Sequence, residues 1–146
     1  MTATAMAATT SAGLAPALTI LRLTLHVLAA TVWVGGQFVL AGLVPTARRL
    51  GPDAPRSLAR AFARLSWPAY AVLLATGIWN VSTFHLASQP TSWQVVLWVK
   101  IAVVALAGSG ALAHSRSTSR RAIAAWGAVG ALSSVAALVL GVALAG

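Results

Sequence analysis

The sequence predicts an all-α membrane protein: an antiparallel bundle of four transmembrane helices with both termini on the outer side. Three observations carry this expectation. Apolar residues fill 59% of the 146 positions, charged residues only 8%, and mean hydropathy is +0.86, a composition foreign to soluble domains. Four apolar runs are each long enough for the roughly 20 residues that a bilayer span requires, and none alternates as a barrel strand would. The third observation is where the positive charge falls. Of ten Lys and Arg residues, eight lie in two segments: Arg48, Arg49, Arg56, Arg60 and Arg64 between spans one and two, and Arg116, Arg120 and Arg121 between spans three and four. Short arginine-rich loops stay cytoplasmic. The uncharged link from His85 to Pro90 and both chain ends therefore face outward.

Each element follows from local signals. Residues 1–12 are small and hydroxylated with no cation ahead of the first apolar run, so residues 1–16 are expected to be a disordered lead into a retained helix rather than a cleaved signal. Span one covers about residues 17–44, opened by Pro16 and stopped by Pro45. Gly51-Pro52-Asp53 and Pro55 mark a turn. Span two covers about 58–85, with Pro68 placed to kink it. Span three, about 91–114, follows Pro90. Span four, about 119–144, is built almost wholly of Ala, Val, Leu and Gly. Its stripe of Gly127, Gly130, Ser134, Ala137 and Gly141 lets a neighbouring backbone approach closely. Residues 17–146 thus form one four-helix domain. The chain has no cysteine, which excludes disulfides, thiolate metal sites and thiol catalysis. The net charge of +9 reads as topology and contact with anionic lipid heads, not as nucleic-acid binding.

The two cations outside those loops are Arg22 and Lys100, and with His26 they lie inside apolar runs. An ionisable group in hydrocarbon costs about 2.5–3.5 kcal/mol on insertion scales. At 100° per residue, Arg22, His26, Trp33 and Gln37 fall within an arc of roughly 60° on span one. Ser66, Ala69, Thr76, Asn80 and Thr83 share a face of span two, and Trp93, Lys100, Ala107, Ala111 and His114 a face of span three. Polar stripes on lipid-embedded helices turn toward one another. His26 and Lys100 each lie nine residues into an inward-running span, so both come to about 13 Å along the axis. The expectation is an outer-half polar pocket built by Arg22, His26, Asn80 and Lys100 and walled by Trp33, Trp79, Trp93 and Trp98. Bland readings stand beside it: His26 as a structural hydrogen-bonding group, Lys100 snorkelling to the headgroups, His85 as an exposed interfacial residue, and His114 as a polar anchor at a helix end. Against them, the only acidic side chain, Asp53, belongs to the opposite surface. The two cations therefore lack an internal counter-ion, which points to an anionic ligand.

The run Leu25-His26-Val27-Leu28-Ala29-Ala30, followed by Trp33-Val34-Gly35-Gly36, resembles the opening of copper resistance protein D (CopD) domain proteins. Arg60-Ala61-Phe62-Ala63-Arg64-Leu65 and Ala75-Thr76-Gly77-Ile78-Trp79-Asn80 extend the resemblance, which covers Leu21 to about Ala113. The related HemJ-type protoporphyrinogen oxidases share the four-span plan and are echoed by His26, Trp67-Pro68-Ala69, Gly77, Trp79 and Trp98-Val99-Lys100. In that group the first-span histidine is associated with haem b and the third-span lysine with function. The polar signature that enters the last HemJ span is absent here, where Ala122-Ile123-Ala124-Ala125-Trp126-Gly127 stands instead.

The resemblance implies copper transport or resistance in the plasma membrane of a prokaryote, with His26 and His85 as the metal-binding candidates; an enzymatic role is left open and, if present, would be that of a haem-dependent oxidoreductase. Cofactor-binding candidates are His26, Lys100, Arg22, Asn80 and Trp33, for a copper ion or haem b. Soft copper sites favour Cys and Met, yet Met1 and Met6 both precede the first span. The alternatives are a haem b oxidoreductase, with His26 as axial ligand and Arg22 and Lys100 holding carboxylates, or a small accessory subunit. Expected partners are the lipid bilayer and a homo-oligomer or larger membrane complex.

Overall fold

The computed structural model describes residues 15–145. The expected lead, residues 1–16, lies outside that range except for Ala15 and Pro16. Among the described residues there is no strand. Four helices, α1 (Ala17–Leu50), α2 (Ala54–Ser82), α3 (Thr91–Arg116) and α4 (Arg120–Ala145), are each long and apolar enough to cross a membrane.

Helix starts follow the local chemistry. Pro16 and Pro90 precede α1 and α3 with nearly equal backbone angles (φ −52°, ψ 142° and φ −54°, ψ 146°). Each offers its carbonyl to the first turn, as in Ile20 N–H to Pro16 O (3.1 Å) and Gln94 N–H to Pro90 O (3.1 Å). Proline suits this place because it has no N–H to leave unsatisfied. Ser119 caps α4 through its hydroxyl, which accepts from Ala122 N–H at 3.2 Å. Gly51 ends α1 at φ +146°, a backbone region open to glycine and closed to residues with a Cβ.

Two boundaries differ from expectation. Helix α1 continues through Pro45 to Leu50. A proline removes one backbone bond and strains one carbonyl, a disruption that a long helix can absorb where neighbouring groups re-satisfy the freed carbonyl. Helix α2 begins at Ala54 with Pro55 in its first turn and ends at Ser82, running through Pro68. His85 therefore lies in the link to α3, just before a short turn of 3₁₀ helix at Leu86–Ser88. A feature that periodicity does not reveal is a π-helical turn at Thr31–Gly35 within α1. Thr31 Oγ1 donates to Val27 O at 2.9 Å beside it. Such a turn acts as an inserted residue and rotates the following helix by about 100° relative to the preceding part.

Consecutive helices pair in opposite directions. On the first pair, His26 meets Thr76 and Gly36 lies under the Phe62 ring. On the second, Trp93 Nε1 donates to Leu144 O (3.3 Å), and Gly110 lies against Gly130. The pairs are joined by Tyr70, whose hydroxyl donates to Val104 O at 2.8 Å, and by Trp33, whose Nε1 donates to Ser134 Oγ at 2.9 Å. Large apolar side chains face outward along the spans, Ile78 at 72% and Leu132 at 71% exposure. In water this would be a liability; toward acyl chains it is the ordinary arrangement.

The α3–α4 contact is close enough to depend on a missing methyl group. A Cβ on Gly110 would lie 2.8 Å from Gly130 N, whereas one on Gly42 would meet nothing within 4 Å. Gly110→Ala is expected to destabilise the protein by about 1–3 kcal/mol through overpacking. Gly42→Ala is expected to leave stability unchanged or raise it by about 0.5–1 kcal/mol through helix propensity. Unfolding in detergent followed by circular dichroism compares the two; equal effects would contradict the close packing.

Candidate functional site

The polar side chains between the helices form two layers, and an aromatic layer fixes the reference level. Trp33 is buried (5% exposed), with its ring centroid 4.5 Å from that of Tyr70 and 5.8 Å from that of Trp67. Its indole N–H donates to Ser134 Oγ, and Gln37 Nε2 donates to the same oxygen (3.2 Å) and to Trp33 O (3.0 Å). Ser134 in turn donates to Gly130 O at 2.7 Å. The donors of Trp33, Gln37 and Ser134 thus each have an acceptor, as a lipid-embedded interior demands.

The basic layer lies on the side of the α1 amino end. His26 is seven residues before Trp33, Thr76 six after Tyr70, and Gly141 seven after Ser134. At 1.5 Å per residue these offsets are all about 10 Å along the respective axes. Lys100, four residues before the Tyr70-bonded Val104, extends its ammonium to Gly141, where a Cβ would lie 3.0 Å from Nζ. Lys100 also lies within electrostatic range of the His26 ring. The imidazole and the ammonium, on non-adjacent helices, thus occupy one level. Both are half-buried and packed against neighbouring helices.

The tautomer of His26 follows from its neighbour. His26 Nδ1 lies 2.8 Å from Thr76 Oγ1, and that hydroxyl is donated to Val72 O at 2.6 Å. With the hydroxyl proton so committed, Thr76 accepts and Nδ1 carries the ring proton. The lone pair is therefore on Nε2. This is how a ligating imidazole is commonly oriented, one nitrogen held by a hydrogen bond and the other left to coordinate. Gly77 stands beside the ring, 3.8 Å from Cε1 to its would-be Cβ.

Arg22 lies one turn before His26. It is 8% exposed, and its Nε has no hydrogen-bond partner. The one carboxylate side chain, Asp53, stands at the start of α2, beyond the far end of α1. Burying a guanidinium without a counter-ion is expensive.

The remaining expected residues are dispersed. Trp33 belongs to the aromatic layer rather than to the level of His26. Asn80 is half-buried one turn beyond Thr76, and its carbonyl accepts from Thr83 Oγ1 at 2.8 Å. His85 is exposed in the link. Trp79 and Trp98 face outward at 39% and 61% exposure, and Trp93 packs on Phe84 with centroids 5.2 Å apart. Among the described residues no three His, Cys, Asp or Glu side chains gather as a metal site. Tyr70 was not singled out in the sequence, because an aromatic in an apolar span looks like filler until its partner 34 residues away is known.

No protein-family description, curated protein or solved structure matches this chain.

The tautomer is directly measurable. In protein labelled with ¹⁵N-histidine, His26 is expected to show a protonated Nδ1 and an unprotonated Nε2. Thr76→Ser should preserve this pattern. Thr76→Val should mix the tautomers and cost about 0.5–1.5 kcal/mol for the lost hydrogen bond. A protonated Nε2 in the parent chain would contradict the assignment.

Proposed function

We propose that this chain is a multi-pass membrane protein, a four-helix bundle with its arginine-rich loops in the cytoplasm and both termini outside. Its outer-half basic layer holds haem b. The observation that carries this reading is the buried Arg22, whose Nε has no hydrogen-bond partner, one turn from a neutral imidazole, in a chain whose one acidic side chain, Asp53, stands at the far end of α1. Haem b joins a metal that takes an imidazole nitrogen to two carboxylates that take cations. Here His26 Nε2 would hold the iron, and Arg22 and Lys100 would hold the carboxylates. Thr76 fixes the ring so that the ligating nitrogen is unprotonated. When bound, the group supplies one-electron redox chemistry. What the chain adds is a dry, cationic setting, which favours the reduced or anionic form of whatever it holds.

The copper reading draws on the same Nε2. His85, its proposed second ligand, lies in an exposed link, and no Cys or Met sulfur occurs within the spans. Copper is therefore the less supported of the two, because soft copper sites are built from such donors.

Visible absorption of detergent-purified protein tests the reading. A Soret band is expected in the parent chain, lost in His26→Ala and shifted or weakened in Lys100→Met. A colourless protein that binds Cu(I) in a His26-dependent way would overturn haem in favour of copper. Arg22→Met separates a ligand role from a structural one. Without ligand it is expected to match or exceed the parent in stability by about 1–4 kcal/mol, since a buried unpaired charge is removed, while haem affinity falls. Destabilisation of the ligand-free protein by this variant would make Arg22 structural.

A further inference from the structure

The two arginine loops come together at one end of the molecule. A cavity of about 790 Å³ is lined by Arg48 near the end of α1, His114 near the end of α3, and Arg120, Ile123, Ala124 and Gly127 in the first turns of α4. Three helices thus contribute basic side chains to one space, and no acidic side chain lines it. Arg48, His114 and Arg120 form an exposed basic rim, and Ile123, Ala124 and Gly127 add an apolar wall, with the His114 ring against Ile123 and Gly127.

The histidine on that rim is built in rather than dangling. His114 Nδ1 lies 2.7 Å from Ile123 O, so it donates its proton there. Gly127 makes room for the ring: a Cβ at that position would lie 2.9 Å from His114 Nδ1. With Nδ1 committed, Nε2 is the ring's acceptor for a hydroxyl. The first turn of α4 meanwhile carries Arg120 and Arg121 and no acidic residue, although the amino end of a helix is already positive.

We infer that this cavity binds the head of an anionic phospholipid, its phosphate between Arg48 and Arg120 and its glycerol portion against Ile123, Ala124 and Gly127. Two guanidinium groups suit a phosphodiester. The apolar wall on the membrane side selects a lipid over a soluble phosphate ester, and a head that also offers a hydroxyl finds an acceptor in His114. This site is independent of the His26 layer, from which it is separated by the aromatic layer.

The test uses the full chain in nanodiscs of phosphatidylcholine containing a minor share of phosphatidylglycerol. After transfer to mild detergent, native mass spectrometry counts retained lipid. Phosphatidylglycerol is expected to be retained about tenfold over its share, and the excess to vanish in Arg48→Gln/Arg120→Gln. The control Arg56→Gln/Arg64→Gln removes the same charge from residues that do not line the cavity and should keep the excess. Gly127→Ala, which changes no charge, should lower retention by displacing His114; thermal unfolding of each variant confirms that it is folded. An equal loss in both arginine pairs would reduce the effect to general surface charge and overturn the site. Displacement of the lipid by millimolar glycerol 3-phosphate would assign the cavity to a soluble phosphate ester and overturn the lipid reading.

Discussion

Hydrocarbon cannot solvate a charge or a bare polar hydrogen, and that constraint organises the interior of this protein. It explains why the indole of Trp33 finds Ser134, why Gln37 turns to the same oxygen, and why Tyr70 reaches across to a backbone carbonyl of α3. Each bond ties together helices that apolar side chains alone would hold only loosely, because lipid tails compete for the same contacts on nearly equal terms. Hydrogen bonds and close glycine contacts therefore set the registry among the helices. The apolar surface keeps the assembly in the membrane but does not specify its arrangement.

Against that background the basic layer stands apart. In the aromatic layer Trp33, Gln37, Tyr70 and Ser134 find acceptors, whereas the layer of Arg22, His26 and Lys100 has three basic groups and no acid. Thr76 resolves one part of the problem by holding His26 neutral, with the proton on the nitrogen that faces α2. Among the described residues Arg22 Nε has no comparable partner. That imbalance is the basis of the anionic ligand proposed above.

Much of this was legible in the sequence, for physical reasons. Long apolar runs can only be helices in lipid. The grouping of Arg48 with Arg120 followed from where arginines are tolerated, and one cavity now contains both. His26 and Lys100 stood out because charge in an apolar run is costly, and Thr76 fell on a polar face. Other features were not legible. Periodicity separates polar from apolar faces, but when both lipid and interior are apolar it cannot say which way a tryptophan turns, and so Trp79 and Trp98 were placed inside. Ser134 and Gly141 looked like packing residues, since their partners, Trp33 and Lys100, are far away in sequence. The π-helical turn at Thr31–Gly35 escapes any analysis that assumes a constant 100° step, and it re-aims everything from Gly36 onward.

That turn lies beside the stacked rings of Trp33, Trp67 and Tyr70, which fill the middle of the molecule. Together they act as a floor. Lys100 and His26 lie on the amino-end side of these rings, and the polar atoms of Trp33 and Tyr70 are already bonded within the layer. The basic layer on that side and the arginine-lined cavity at the other end are therefore held apart by packed rings. Any rearrangement that joined the two ends would have to separate these rings and break the Trp33–Ser134 bond.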